Sequence, residues 1–197
     1  FDSTCLWWED EEGHYPIKKT DMPMMVRDLG LTLDNIHTPF CNSNDLWSEF
    51  FSARSKIIKK YLTWLEDCAR FNIPIMVMHI MEGDIVPKVN KYGIESIWKL
   101  TQEAEKLKVK IALENTRFSH GITSILSEIE SEHLGLCYDS SHARLHGDEF
   151  LLRHFGHRLI TCHISDNDGK VDRHWLPGNG LIDWENFYNA FPKEHYL

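Results

Sequence analysis

Six short apolar segments recur along the chain, and each from the second onward is followed by a stretch with apolar residues at helical spacing. The last four segments are apolar at nearly every position, which is typical of parallel strands buried on both faces. The predicted strands are Ser3–Trp8, Leu33–Thr38, Ile73–Ile80, Val109–Glu114, Leu134–Asp139 and Leu159–Ile164.

The intervening stretches predict helices. The clearest helical pattern runs from Asp45 to Arg70, where apolar residues form one stripe at helical spacing. The other predicted helices are Ile94–Leu107, Thr123–Glu130, Glu149–Phe155 and a last helix that Asp183 caps and that runs through Phe191. Strands that alternate with helices indicate βα units, a parallel sheet and the α/β class.

The strand count indicates part of a barrel. A closed (β/α)8 TIM barrel typically needs about 250 residues, whereas this chain has 197. We therefore predict a single, incomplete (β/α)8 TIM-barrel domain over residues 1–197, with about six strands present and the first and last strands lacking. Because the chain opens at Phe1 without a methionine, we interpret it as a piece of a longer protein.

Histidines and carboxylates stand at the ends of the predicted strands. Such ends meet at one rim of a parallel barrel, so these side chains should converge on one point. The strand-end residues are His37, His79, Glu114, Asp139, His142 and His163, and the loop after the last strand adds Asp172 and His174. A single histidine of this kind is usually an ordinary polar residue, but a series at consecutive strand ends indicates a site. We interpret the other histidines as ordinary solvated or capping residues: His14, His120, His133, His146, His154, His157 and His195.

The alternation of side chains along a strand supports this convergence. If Asp139 points into the barrel, then Cys137 does too, and His79 shares a face with Val77. Cys162 should face the helices. The polar residues can therefore meet above an intact apolar interior.

Oxygen and imidazole donors without thiolates are the ligands of Zn²⁺, Mn²⁺, Co²⁺ or Mg²⁺ sites. Glu114, Asp139 and His163 make the best single-metal set, because they come from adjacent strands and leave a coordination position open. His142 could bind a second metal, orient Asp139 or contact substrate. An aromatic residue at the end of the first strand could line a sugar pocket, and we assign Trp8 to that role.

Composition narrows the classes of function. The net charge of −9 and the pI near 5.7 disfavour a nucleic-acid binder, which normally presents a basic face. Five cysteines without a CxxC pair indicate reduced thiols and a cytoplasmic protein. No apolar run is long enough to span a bilayer. A homo-oligomer is compatible with the sequence, but the sequence does not indicate which residues would form the interface.

Five segments carry a family resemblance: IHTPF, VMHIMEGD, IALENTR, GLCYDSSHARLHG and CHISDNDGKVDRHWLPGNGLIDW. Together they resemble the xylose-isomerase-like superfamily, which includes the sugar phosphate isomerase/epimerase group and the type IV apurinic endonucleases. The resemblance implies that Glu114, Asp139 and His163 hold the principal divalent metal. In endonuclease-like members, further metal ligands are implied at His37, His79, His142, Asp172 and His174.

The stretch HWLPGNGLIDW and the acidic charge favour the sugar branch. The resemblance then implies an isomerase or epimerase that acts on a sugar or sugar phosphate by proton transfer through an enediolate. We expect Glu114 and His142 to be catalytic, with His79 and His174 among the metal ligands. The expected substrate-binding residues are His37, Trp8, Asn115 and Asp172. The partner carboxylate of the eighth strand has no counterpart in this chain. The alternatives are a multi-zinc apurinic-type endonuclease and a non-catalytic sugar-binding barrel.

Overall fold

The computed structural model describes residues 2–193, and its centre is one sheet of six parallel strands. The strands pair strictly in chain order, each with the next, as the βα pattern predicts. They are β1 (Ser3–Trp7), β2 (Thr32–His37), β3 (Ile75–Met78), β4 (Lys110–Glu114), β5 (Leu134–Asp139) and β6 (Leu159–His163). The fold is α/β and corresponds to an incomplete TIM barrel, which confirms the predicted class.

In the part of the chain that the structure describes, seven α-helices connect or follow these strands. They are α1 (Met22–Asp28), α2 (Phe51–Arg70), α3 (Lys91–Leu107), α4 (His120–Glu128), α5 (Ser140–His146), α6 (Phe150–Phe155) and α7 (Trp184–Ala190). Short 3-10 turns cover Ser43–Trp47 and Gly156–Arg158. Within residues 2–193, no helix combines the length and apolar character that a membrane span requires.

The helix predicted from Asp45 to Arg70 is wrong in its first part. The chain forms a 3-10 turn over Ser43–Trp47, becomes extended at Ser48 and starts α2 only at Phe51. Tertiary contacts of Trp47 account for the break: its indole donates a 2.8 Å hydrogen bond to the carbonyl of Ile80. Its ring also fills the space above Gly93, where an added Cβ would lie 1.9 Å away.

The sequence does not predict two of these helices, α1 and α5. Both have only seven residues. Helix α5 starts directly after β5, and the Asp139 carboxylate caps it by accepting a 2.7 Å hydrogen bond from the backbone N–H of His142. One residue thus ends a strand, caps a helix and faces the rim of the barrel.

The core lies on both faces of the sheet, as expected for parallel strands. The larger cluster fills the space between sheet and helices, and Cys162 packs against it. A smaller cluster of Val77, Ala112 and Cys137 occupies the opposite face, inside the barrel. The predicted facing of Cys137, Val77 and Cys162 is therefore confirmed. The polar ends of the strands lie above this inner cluster.

Candidate metal centre

The Glu114 carboxylate, at the end of β4, forms the middle of the site and its side chain is only 3% exposed. Its Oε2 lies 2.7 Å from Nε2 of His37 and 3.1 Å from Nε2 of His79. Its Oε1 lies 3.1 Å from Nδ1 of His163 and 3.4 Å from Nδ1 of His142. Four imidazoles from four different segments therefore surround one buried carboxylate.

Asp139 provides the second carboxylate, at the end of β5 and almost fully buried. Its oxygens lie 3.8 Å from Nδ1 of His163 and 3.9 Å from Nδ1 of His142. Two sets of donor atoms are close enough to hold one ion each, with all atoms within 4.8 Å of one another: His37, Glu114 and His163, and Glu114, Asp139 and His142. The predicted trio of Glu114, Asp139 and His163 is divided between these two sets, which share Glu114 and also include His37 and His142.

Hydrogen bonds to backbone carbonyls fix the orientation of two rings. Nδ1 of His37 lies 3.0 Å from the carbonyl of Thr38, and Nδ1 of His142 lies 2.9 Å from that of Asn115. A carbonyl only accepts, so Nδ1 carries the proton in each neutral ring. In neutral His37, Nε2 then has no proton, and its lone pair faces a lone pair of Glu114 Oε2. These two lone pairs repel each other unless a proton or a cation lies between them. The donor set therefore fits a metal ion.

The ionisation of the cluster follows from its charges. Burial alone raises the pKa of Glu114, but hydrogen bonds from the four surrounding histidines outweigh it and lower that pKa well below the ordinary value. Burial lowers the pKa of His142, yet the hydrogen bond to Glu114 and the charge of Asp139 raise it to about 9. Burial dominates at His79 and lowers its pKa, whereas it raises that of Asp139. Glu114 is therefore held ionised, and His142 holds a proton at neutral pH.

Asn115 does not face the site, so its predicted substrate-binding role is wrong. The residue is fully buried. Its Oδ1 accepts the backbone N–H of Asp139 at 2.7 Å, and its Nδ2 donates to the Asp139 carbonyl at 3.0 Å. The amide therefore has no free polar atom directed at a substrate, and it fastens the end of β5 to the end of β4.

Trp8 is also misassigned, and its neighbour Trp7 occupies the predicted place. Trp8 is fully buried on the helix side, where its indole donates a 2.9 Å hydrogen bond to Asp67. Trp7 instead stacks on the ring of His37 at 5.0 Å and is 40% exposed. Phe40 stacks in the same way on His79, with ring centres 4.8 Å apart. Two aromatic rings therefore line one side of the centre.

Asp172 and His174 form a second group in the loop after β6. Oδ2 of Asp172 lies 2.8 Å from Nε2 of His174 and 3.4 Å from Nε2 of His142. His174 is 70% exposed, so it belongs to the outer edge of the site. This group meets the Glu114 cluster through His142, whose other ring nitrogen faces Glu114.

A cavity of about 210 Å³ opens beside the cluster, between the loops after β3 and β4. His79 and His142 line its inner end, while His146 and Arg117 line its outer part. From the sequence, His146 is interpreted as an ordinary residue, whereas the structure places it in the cavity wall. The signal for this is its position one helical turn after His142 on α5. His195 lies outside the described residues.

The fold and the site define a class: a parallel barrel with a histidine–carboxylate centre at the carboxyl ends of its strands. Residues 6–196 match the family described as xylose isomerase-like TIM barrel, and the chain belongs to that family.

Two curated relatives are uncharacterised proteins. The protein y4fM of Sinorhizobium fredii is 39% identical over 74 residues, which cover 36% of this chain and 24% of y4fM. The protein MJ1311 of Methanocaldococcus jannaschii is 26% identical over 166 residues, which cover 76% of this chain and 56% of MJ1311. The chain thus spans about a quarter and about half of the lengths of these relatives.

Solved structures resemble the chain over most of its length. A D-tagatose 3-epimerase-like protein superposes with a TM-score of 0.76 at 23% identity, covering 96% of this chain and 77% of that protein. An L-ribulose 3-epimerase superposes with a TM-score of 0.73 at 14% identity, covering 91% and 64%. At these identities the likeness establishes the fold.

Proposed function

We propose that the protein is a metal-dependent sugar isomerase or epimerase that acts by proton transfer through an enediolate. The observation that carries the proposal is the buried Glu114 carboxylate among four histidines, at the rim where barrel enzymes place their active sites. The family supports it, and so do the epimerases among the similar structures.

The proposed principal ligands of the metal are Glu114, Asp139 and His163, with His79 beside them. A divalent cation such as Zn²⁺, Mn²⁺, Co²⁺ or Mg²⁺ would supply a Lewis acid for a carbonyl and its adjacent hydroxyl. His174 lies farther out, beside Asp172. Its proposed role as a metal ligand therefore belongs to the Asp172–His174 group and not to the Glu114 cluster.

Proton transfer is assigned to Glu114 and His142. Glu114 is proposed to accept the carbon-bound proton, because its carboxylate is ionised and lies at the centre of the cluster. His142 is proposed as its partner in proton transfer, because its ring lies between the carboxylates of Glu114 and Asp172. Their nearest atoms, Oε1 of Glu114 and Nδ1 of His142, lie 3.4 Å apart.

The proposed ligand is a small sugar or sugar phosphate. Trp7 offers an exposed aromatic surface against which the apolar C–H face of a sugar can pack. The proposed substrate-binding residues include His37 and Asp172, which are both partly exposed beside the cluster. The cytoplasmic location stays a prediction from the cysteines.

Solvent-hydrogen exchange tests this proposal. The protein, loaded with Mn²⁺ or Co²⁺, is incubated in D₂O with a panel of ketoses and ketose phosphates, and deuterium at the carbon next to the carbonyl is followed by NMR. We expect incorporation in at least one sugar, and its loss in Glu114→Gln. The matched control is His133→Gln, because His133 bonds the Val109 carbonyl at the opposite end of β4 and should retain exchange. Wild-type exchange in Glu114→Gln would refute the assignment.

One observation supports a second candidate, a multi-metal phosphodiesterase. His37, His79 and the Asp172–His174 pair provide more donor groups than one metal needs. Cleavage of an abasic duplex with two or three bound zinc ions, and no sugar exchange, would favour it. Sugar binding without exchange or cleavage would leave a non-catalytic barrel.

A further inference from the structure

A buried hydrogen-bond chain connects the loop after β6 to the first turn of α5. It runs from Asn167 through Ser141 to Asp172, and both Asn167 and Ser141 are fully buried. We propose that Ser141 is a positioning residue that acts through Asp172 on His142. Its importance for turnover rests on the proposed function, in which His142 and Asp172 contact substrate.

The direction of each hydrogen bond can be assigned from the donors. Nδ2 of Asn167 lies 2.9 Å from the carbonyl of Ser141 and 2.7 Å from its Oγ. An amide nitrogen only donates, so the Ser141 hydroxyl accepts at this contact. Its single proton is then free for Oδ1 of Asp172, 2.5 Å away. Charge-assisted bonds of this kind are the strong ones.

This bond fixes one oxygen of Asp172 and thereby aims the other. Oδ2 faces Nε2 of His142 at 3.4 Å and Nε2 of His174 at 2.8 Å. At the opposite side of the His142 ring, Nδ1 is held by the Asn115 carbonyl at 2.9 Å. Ser141 therefore completes the set of contacts that determines the orientation of the His142 ring.

The preceding residue, Ser140, provides a matched comparison. It is also buried, and its hydroxyl donates to the Ser165 carbonyl at 2.7 Å while accepting the Ser165 N–H at 3.0 Å. Both serines thus attach α5 to the loop after β6, but only Ser141 bonds Asp172. A purely structural role would make Ser141→Ala and Ser140→Ala equivalent.

The test uses the protein labelled with ¹⁵N-histidine, without added ligand and at one pH. The side-chain nitrogen resonances of His142 and His174 are recorded for Ser141→Ala, Ser140→Ala, Asp172→Ala and the Ser141→Ala/Asp172→Ala double variant. We expect Ser141→Ala to shift the Nε2 resonances of both histidines, and Ser140→Ala to leave those of His174 in place. In the Asp172→Ala background, which lacks the acceptor of the Ser141 hydroxyl, Ser141→Ala should cause no further shift, because its effect passes through Asp172.

Unchanged resonances in Ser141→Ala would overturn the proposal, and so would a shift that persists in the Asp172→Ala background. If the deuterium exchange of the proposed function is found, kcat/KM should also fall about 10- to 100-fold in Ser141→Ala, as is typical of residues that orient a site. The resonances do not depend on turnover, so failure of the sugar assay would not by itself affect this result.

Discussion

Metal binding should release protons from the centre, because a cation competes with protons for the same atoms. His142 keeps its proton at neutral pH, since Glu114 and Asp139 outweigh burial and raise its pKa to about 9. At pH 7, two units below that pKa, about 99% of His142 is protonated. The pKa of His163 is raised as well, because the same two carboxylates outweigh its burial.

A cation that takes over the charge of Glu114 removes the main cause of these shifts. About one proton should therefore leave His142. Because metal binding releases protons, the affinity for the metal rises with pH. Each released proton raises the association constant about tenfold per pH unit, and the rise from His142 ends near pH 9.

Calorimetric titration with Mn²⁺, in pairs of buffers with different ionisation enthalpies, counts these protons. His142→Gln should lower the count by about one. His146→Gln is the matched control from the same helix, because burial, together with the charges of His142 and Arg117, lowers the pKa of His146. Affinity that does not change with pH, with equal heats in both buffers, would refute this account of the electrostatics.

Three further predictions separate the site from its supports. Trp7→Ala should raise KM for the active sugar about threefold to tenfold in steady-state assays, because it removes one aromatic contact. Trp8→Phe should leave KM unchanged and lower the free energy of unfolding in urea by about 1 kcal/mol. The reverse pattern would contradict the assignment of the two rings. Gly180→Ala should lower the melting temperature, because its Cβ would lie 2.2 Å from Oδ1 of the buried Asp166; an unchanged melting temperature would show that the loop adapts. Asn115→Ala should weaken Mn²⁺ binding in calorimetry about tenfold, because it frees the backbone of the neighbouring ligand strand; unchanged affinity would count against that positioning role.

The six strands and the convergence of the site residues were predictable because both depend on local rules. A buried parallel strand needs apolar residues on both faces, and the carboxyl ends of such strands share one rim. Polar residues at consecutive strand ends, such as Glu114 and Asp139, therefore had to meet. The alternation that put Cys137 inside and Cys162 outside is equally local.

The roles of individual residues at the rim were less predictable, since they depend on contacts between distant segments. Trp7 and Trp8 have the same chemistry, and only the packing of α2 against β1 buries the second and leaves the first at the site. The pairing of β1 with β2 also contains a register shift, so strand alternation could not be counted reliably to its end. Asn115 looked like a substrate ligand because the sequence does not show that the backbone of Asp139 uses both ends of its amide.

The central claim is that the cluster around Glu114 binds a divalent metal, and elemental analysis tests it most directly. The protein would be purified without chelator, incubated with Zn²⁺, Mn²⁺ or Co²⁺, freed of excess metal and compared with Glu114→Ala treated identically. We predict at least one equivalent of metal per chain in the wild type, and its loss in a Glu114→Ala variant that retains its circular dichroism spectrum. A folded wild-type protein without metal, or equal metal in both proteins, would contradict the account.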